Sequence, residues 1–156
     1  MKKIILVVLA VSLLIISGCN TKKQVDSNTD NTTTESTKKQ NFGDSVVLDG
    51  LDISLTGLSE KASVNKEGKH QKLYIFDVSA TNVVQDVKGF GAIDFVAETE
   101  KNKEYTVDTE TAAFGGEIKP SETVKGKVYF SIPTDKKISA LKYKPAEKTL
   151  KTWKIK

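Results

Sequence analysis

From Phe42 onward, apolar and polar residues alternate along the chain with a period of two. Leu51, Ile53 and Leu55 are interleaved with Asp52, Ser54 and Thr56. Tyr74, Phe76, Val78 and Ala80 make a second apolar face, with Leu73 and Ile75 partly filling the opposite side. Ile93, Phe95 and Ala97 alternate with Asp94, Val96 and Glu98, and Val124, Gly126, Val128, Phe130 and Ile132 alternate with Lys125, Lys127, Tyr129 and Ser131. Leu141 with Tyr143, and Trp153 with Ile155, give shorter closing strands. Successive side chains of a strand point to opposite faces, so this period predicts half-buried strands. Turn-forming residues separate the runs: Asp49-Gly50, Lys66 to Lys69, Glu100 to Lys103, Gly115-Gly116, Pro120-Ser121 and Pro133 to Asp135. Short strands at this spacing predict an all-β, immunoglobulin-like antiparallel β-sandwich over residues 42–156.

The N-terminal part follows a different pattern. Lys2 and Lys3 precede Ile4 to Ile16, an apolar run interrupted by Ser12. A comfortable membrane-spanning helix needs about 20 apolar residues, so the run suits the core of an export signal instead. It ends in Ile16-Ser17-Gly18-Cys19, which resembles the lipobox of bacterial lipoproteins. The resemblance implies cleavage after Gly18 and a diacylglyceryl group on the Cys19 thiol, with residues 1–18 as signal peptide. Two acyl chains on Cys19 make attachment effectively permanent, at about 0.8 kcal/mol per buried methylene. The chain is then expected at the cell membrane, lipid-anchored on the extracellular face.

Asn20 to Asn41 contain one large apolar residue, Val25, among Thr, Asn, Ser, Gln, Asp, Glu and Lys. Such a segment buries too little surface to offset its ordering entropy, so residues 19–41 are expected to form a disordered, lipid-anchored linker. A flexible chain of that length averages roughly 25 Å between its ends. Fully stretched it reaches about 75 Å, which keeps the domain close to the membrane.

Within the domain, the succession Tyr74 to Asn82, Ile93 to Ala97, Tyr105 to Val107, Ile118 to Pro120, Val124 to Pro133 and Leu141 to Tyr143 resembles the immunoglobulin-like domain of unknown function 4352. That family is common in lipoproteins of Gram-positive bacteria and is related in fold to a secreted mycobacterial immunogenic protein. The motifs that carry the resemblance are a strand ending in asparagine (Asn82) and a Gly-x-Val-x-Phe strand (Gly126 to Phe130) after a turn. Glu100-Lys101-Asn102-Lys103 stands where the family usually has an Asp-Gly hairpin turn, and Pro120-Ser121 where it has Pro-Gly. The resemblance implies no catalytic residues and no cofactor.

Composition narrows the functional classes. All 24 basic residues are lysine, and the formal net charge is +4, half of it in the two lysines that precede the apolar run. Arginine is the residue suited to bidentate phosphate and base-edge recognition, so a nucleic-acid partner is not expected. One cysteine forbids an internal disulfide. His70, the single histidine, lies in the polar stretch Asn65 to His70, without the partners that a triad or a zinc site requires. Asp94, Glu98, Glu100, Glu104, Asp108 and Glu110 offer carboxylates, but no spaced calcium loop. Gly89-Phe90-Gly91 and Gly115-Gly116 read as turns or a bulge, since no helix follows to cradle phosphate. Lys142, Lys144, Lys148, Lys151, Lys154 and Lys156, with Glu147 as their sole acidic counterpart in that segment, fit an edge strand guarded by lysines with Trp153 packed inward. A contact with anionic headgroups or wall polymers is the second reading of that patch.

These features favour a membrane-anchored extracellular lipoprotein that displays a non-enzymatic binding domain. Its partner is a protein or a wall polymer. The alternative is an envelope-associated hydrolase using paired carboxylates, and a third idea is a signalling peptide released from Leu13 to Gly18. Sandwich strands spend their inward faces on the core, so contact residues are expected on loops at one end: Ala62 to Gln71, Gln85 to Gly91 and Ala112 to Glu117. Phe90 and Phe114, large aromatics beside glycines, are the candidate binding residues, with core capping as the competing role.

Overall fold

The structure, a computed structural model, describes residues 36–38, 40–111 and 113–156. The expected signal peptide, the lipid site Cys19 and most of the expected linker lie outside the described residues. Among the described residues, no helix is long and apolar enough to cross a membrane.

The strands are β1 (Ser36–Lys38), β2 (Val46–Leu48), β3 (Leu51–Val64), β4 (His70–Asn82), β5 (Lys88–Gly91), β6 (Phe95–Thr99), β7 (Glu104–Thr106), β8 (Gly115–Ile118), β9 (Thr123–Pro133), β10 (Ile138–Tyr143) and β11 (Lys151–Lys154). One antiparallel sheet runs β1-β3-β4-β9, with β2 also on β3; a second runs β11-β10-β6-β7; β5 and β8 form a two-stranded third. The architecture is the all-β, immunoglobulin-like sandwich that the alternation predicts. Leu51, Ile53, Leu55, Leu58, Phe76, Val78, Phe130 and Ile132 of the first sheet pack in one core with Phe95, Ala97, Leu141, Tyr143 and Trp153 of the second. Phe76 and Phe130 meet edge to face, their centroids 6.0 Å apart.

Local chemistry explains the joints. Asp49 and Gly50 both have positive φ, the geometry of a tight two-residue hairpin turn, and Leu48 pairs with Leu51 across it. The apolar series 51, 53, 55 then jumps to Leu58, an odd step that would turn Leu58 outward on a regular strand. A register shift between Leu55 and Gly57 absorbs the extra residue and returns Leu58 to the core at 1% exposure. A Cβ at Gly57 would lie 2.5 Å from the Asp77 carboxylate, which would have to move aside. At the far end of β4, Ser121 takes φ 64° in the turn closed by Glu122 N–H to Lys119 C=O, the position that usually demands glycine after proline.

Several expectations change. Among the described residues, Ser36–Lys38, within the segment expected as linker, pair with β3, Ser36 facing Glu60. A strand edge accepts a partner backbone whatever its side chains, so hydrophobic alternation does not register this segment. Ile93 was expected to point inward with Phe95 and Ala97, yet it is 75% exposed while Ala92 is buried. A single 3₁₀ turn over Ala92–Asp94 breaks the alternation just before β6. Gly115-Gly116 and Gly89-Phe90-Gly91 are not turns but the facing strands β8 and β5. Finally, the three expected loops do not converge on one end. Val64 pairs with His70 at one end of the β3–β4 hairpin and Leu51 pairs with Asn82 at the other. The loop at 65–69 and the loop at 83–87 therefore lie at opposite ends of the sandwich.

Candidate functional site

The small β5–β8 sheet is built on glycine. Phe90 faces Gly116 and Gly91 faces Gly115 across the two strands. A Cβ on Gly91 would lie 3.1 Å from both the Gly115 Cα and the Phe114 carbonyl oxygen, so this pair exists because two backbones approach closely. Gly89 and Gly116 differ: a Cβ on either would meet nothing within 4 Å. Packing within the described residues gives no reason for glycine at those two positions, and glycine inside a strand costs roughly 0.5–1 kcal/mol.

Phe90 is a core residue of β5, 3% exposed, and not an exposed loop anchor. Alternation along β5 turns its ring inward, where it meets Phe95 at 5.7 Å, Phe114 at 5.7 Å and Tyr143 at 6.0 Å. Phe114 is half-buried and lies over Gly126, where a Cβ would fall inside its ring. The two aromatics thus form the floor of an open groove of about 540 Å³, walled by the glycines, Ile93, Asp94 and Ala113. Ile93 stands on its rim. Val83 and Val87, 52% and 51% exposed, precede β5 at its other end. Sequence pattern missed Ile93 because alternation assigns it to the core; the signal available was the density of glycine in two short segments.

Asp94 is the charged residue of the groove's lining. The Asp94 carboxylate accepts a 2.8 Å hydrogen bond from Gly91 N–H, but burial outweighs that bond and raises its pKa. Burial also pushes the Tyr143 hydroxyl to about 12, with Asp94 and Asp49 adding to the shift. Lys88 is drawn to Asp49 at 3.4 Å. Asp86 and Glu117 are exposed beside it.

The remaining candidates fall elsewhere. His70 is exposed at the start of β4, opposite Val64. Glu98 and Glu104 face each other on β6 and β7 and share the Lys142 ammonium, which contacts Glu104 at 2.9 Å and Glu98 as well. The hydrogen bond from Lys142, ahead of that from Lys144, holds the Glu104 carboxyl below its ordinary range. The C-terminal lysines are therefore opposed by more than Glu147: Lys144 pairs with both Glu104 at 3.3 Å and Glu147 at 3.1 Å. β11 is the edge strand expected there, and Trp153 is buried. Asp108 accepts hydrogen bonds from the Ser131 hydroxyl and from Glu110 and Thr111 N–H, in a polar recess of about 350 Å³ with Asn65 and Lys66. A broader depression of about 720 Å³ on the outer face of β3, β4 and β9 is lined by Ser54, Thr56, Ser79, Lys125 and the Asp77–Lys127 ion pair.

Solved structures with the same fold cover most of the chain. A secreted protein from Mycobacterium tuberculosis, MPT63, superposes with a TM-score of 0.55 at 17% identity, over 78% of this chain and 92% of its own. A functionally unknown protein from Listeria monocytogenes gives a TM-score of 0.55 at 8% identity, over 80% of this chain and 88% of its own. A conserved hypothetical protein from Bacillus anthracis gives 0.52 at 13% identity, over 81% of this chain and 100% of its own. Among curated proteins, none matches the sequence. Residues 40–151, which hold β2 to β10 and the glycine groove, match the family described as Domain of unknown function (DUF4352), and the chain belongs to that family.

Proposed function

We propose that this protein is an extracellular lipoprotein, anchored through lipid on Cys19, whose sandwich domain binds a partner without catalysing a reaction, and that the β5–β8 groove is the contact surface. The observation that carries the reading is Ile93, 75% exposed on the rim of a groove whose walls are bare glycine backbone. A concave surface with aromatic side chains on its floor and an apolar residue on its rim is the kind of surface that a bound partner occupies. Export is supported by the lipobox and by a fold shared with a secreted protein. The hydrolase alternative needs a carboxyl held protonated near a second carboxylate. Glu98 and Glu104, the facing pair, are instead bound to a common lysine, and its hydrogen bond holds the Glu104 carboxyl below its ordinary range.

Chemical crosslinking on intact cells, followed by recovery of the tethered protein, tests the proposal. The wild-type chain is expected to carry a crosslinked partner that Ile93→Asp loses while keeping its thermal midpoint. Turnover of envelope substrates by the purified chain, abolished by Glu104→Gln, would establish the hydrolase instead.

A further inference from the structure

We infer that the exposed edge of β8 takes up an extended segment of a partner polypeptide as a third strand of the β5–β8 sheet, and that the segment carries apolar residues flanked by basic ones. This rests on the groove being the contact surface and specifies what enters it.

The backbone geometry comes first. Ala92 N–H donates to Phe114 C=O at 2.9 Å, continuing the β5–β8 ladder. In an antiparallel ladder, residues alternate between directing both backbone groups at the partner strand and directing both away. Ala92 and Phe114 face each other, so Phe90 and Gly116 do too, and Gly89, Gly91, Gly115 and Glu117 turn their groups outward. On the β5 side the outward Gly91 N–H is already taken by Asp94. On the β8 side Gly115, Gly116 and Glu117 are all exposed. β8 therefore presents outward N–H and C=O groups at alternate residues, the template that strand addition uses.

The other edges contrast with it. Sheet edges are normally protected by lysine, proline or shortness. β9 carries Lys125 and Lys127 and receives Asp108 N–H on Tyr129 C=O at 2.7 Å; β11 carries Lys151 and Lys154; β1, β2 and β7 have three residues each. β8, Gly-Gly-Glu-Ile, is one residue longer than those three and has neither lysine nor proline within it, Lys119 and Pro120 following its last residue. Gly116 and Gly89, which nothing in the described packing requires, leave room for a second backbone to approach.

Two observations choose the occupant. Asp94 is the charged residue of the groove's lining, and the exposed charges flanking β5 and β8 are Asp86, Glu117 and Glu122 against Lys119, while Lys88 leans toward Asp49. That acidic excess repels an anionic bilayer and complements a basic-flanked peptide. Ser36 faces Glu60, on the β3 half that leads to the 65–69 loop, whereas the Asn82 amide ties β8 to the opposite end. The end carrying β8 is thus the one opposite Ser36.

The test uses the processed chain from residue 19, carrying Cys19→Ser, and three acetylated ten-residue peptides. One alternates valine and lysine, one alternates valine and glutamate, and the third is the first with alternate backbone amides N-methylated. Amide exchange is read by NMR. The valine–lysine peptide is expected to slow exchange at Gly115 and Glu117 at least tenfold, to bind at least tenfold tighter than the glutamate peptide, and to lose binding on N-methylation. Glu117→Lys, which leaves the backbone alone, should reverse the preference between the charged peptides. The inference is overturned by absence of protection at Gly115 and Glu117, by protection at Lys125 to Lys127 instead, or by equal binding of the N-methylated peptide. Protection by phosphatidylglycerol vesicles alone, or by raising the protein concentration alone, would assign the edge to a bilayer or a second copy and also overturn it. If Ile93→Asp loses the cellular partner while β8 stays unprotected, the inference fails and the proposed function survives.

Discussion

The side-chain amide of Asn82 donates a 2.8 Å hydrogen bond to the carbonyl of Ile118, tying the end of β4 to the last residue of β8. Asn82 is fully buried, and its other groups are equally occupied: the amide also reaches Asp86 C=O at 2.8 Å, and the side-chain oxygen accepts Val84 N–H at 3.0 Å. Three backbone groups of different segments are thus satisfied by one side chain, which positions the strand that borders the groove.

Replacing Asn82 by alanine removes all three bonds, of which the one to Ile118 C=O is buried and the other two are half-buried. A buried polar group that loses its partner costs about 1–3 kcal/mol. Asn82→Ala is expected to lose about 1–3 kcal/mol of unfolding free energy in a denaturant titration. A loss below about 1 kcal/mol would mean that the clasp does not hold the two segments.

Phe114 and Gly126 form a second coupled pair, since any side chain at 126 enters the space of the ring. Gly126→Ala is expected to destabilise the domain by about 1–3 kcal/mol through overpacking. In a Phe114→Ala background most of that cost should vanish, a coupling that a double-mutant cycle measures directly. Independent, additive effects would show that the ring does not rest on Gly126.

How far these relationships could be read from sequence depends on their range. The alternation of Leu51 to Leu55, Tyr74 to Ala80 and Val128 to Ile132 was sufficient for the sandwich, because inward positions on a strand repeat regularly. Asn82 and Gly126 stood out as motif residues, but their purpose depends on Ile118 and Phe114, which are distant in the chain. Ile93 was misassigned because one 3₁₀ turn resets the period. The divergence of the 65–69 and 83–87 loops follows from strand direction, which composition does not encode. β1 escaped notice since Ser36–Lys38 carries no apolar pattern.

Asp108 is one of the carboxyls expected to make the fold acid-sensitive. Burial alone would raise its pKa, but the Ser131 hydroxyl and the Thr111 and Glu110 N–H groups prevail and hold it below the ordinary 3.8. A depressed folded pKa stabilises the fold above the unfolded value, and that contribution fades as pH falls through the folded one. Asp108→Asn is therefore expected to be less stable than wild type by about 1 kcal/mol at neutral pH, with the difference closing below the ordinary carboxylate range. Thermal melts of both chains from pH 7 downward check this. A gap that widens on acidification would reverse the sign and refute the assignment.

Anchoring is predicted to depend on Cys19 alone. Cys19→Ser should abolish metabolic palmitate labelling and leave the precursor unprocessed. Label persisting in that variant would show that lipid is attached elsewhere.

The most direct measurement of the central claim is site-specific photocrosslinking in living cells. A photoreactive residue is placed in turn at Ile93 on the groove rim, at Lys125 on the β9 edge and at Thr152 on β11, all of them exposed. If the β5–β8 groove is the binding surface, the Ile93 position yields a discrete adduct and the other two do not. The same adduct from all three positions, or adducts from Lys125 or Thr152 with none from Ile93, would contradict it.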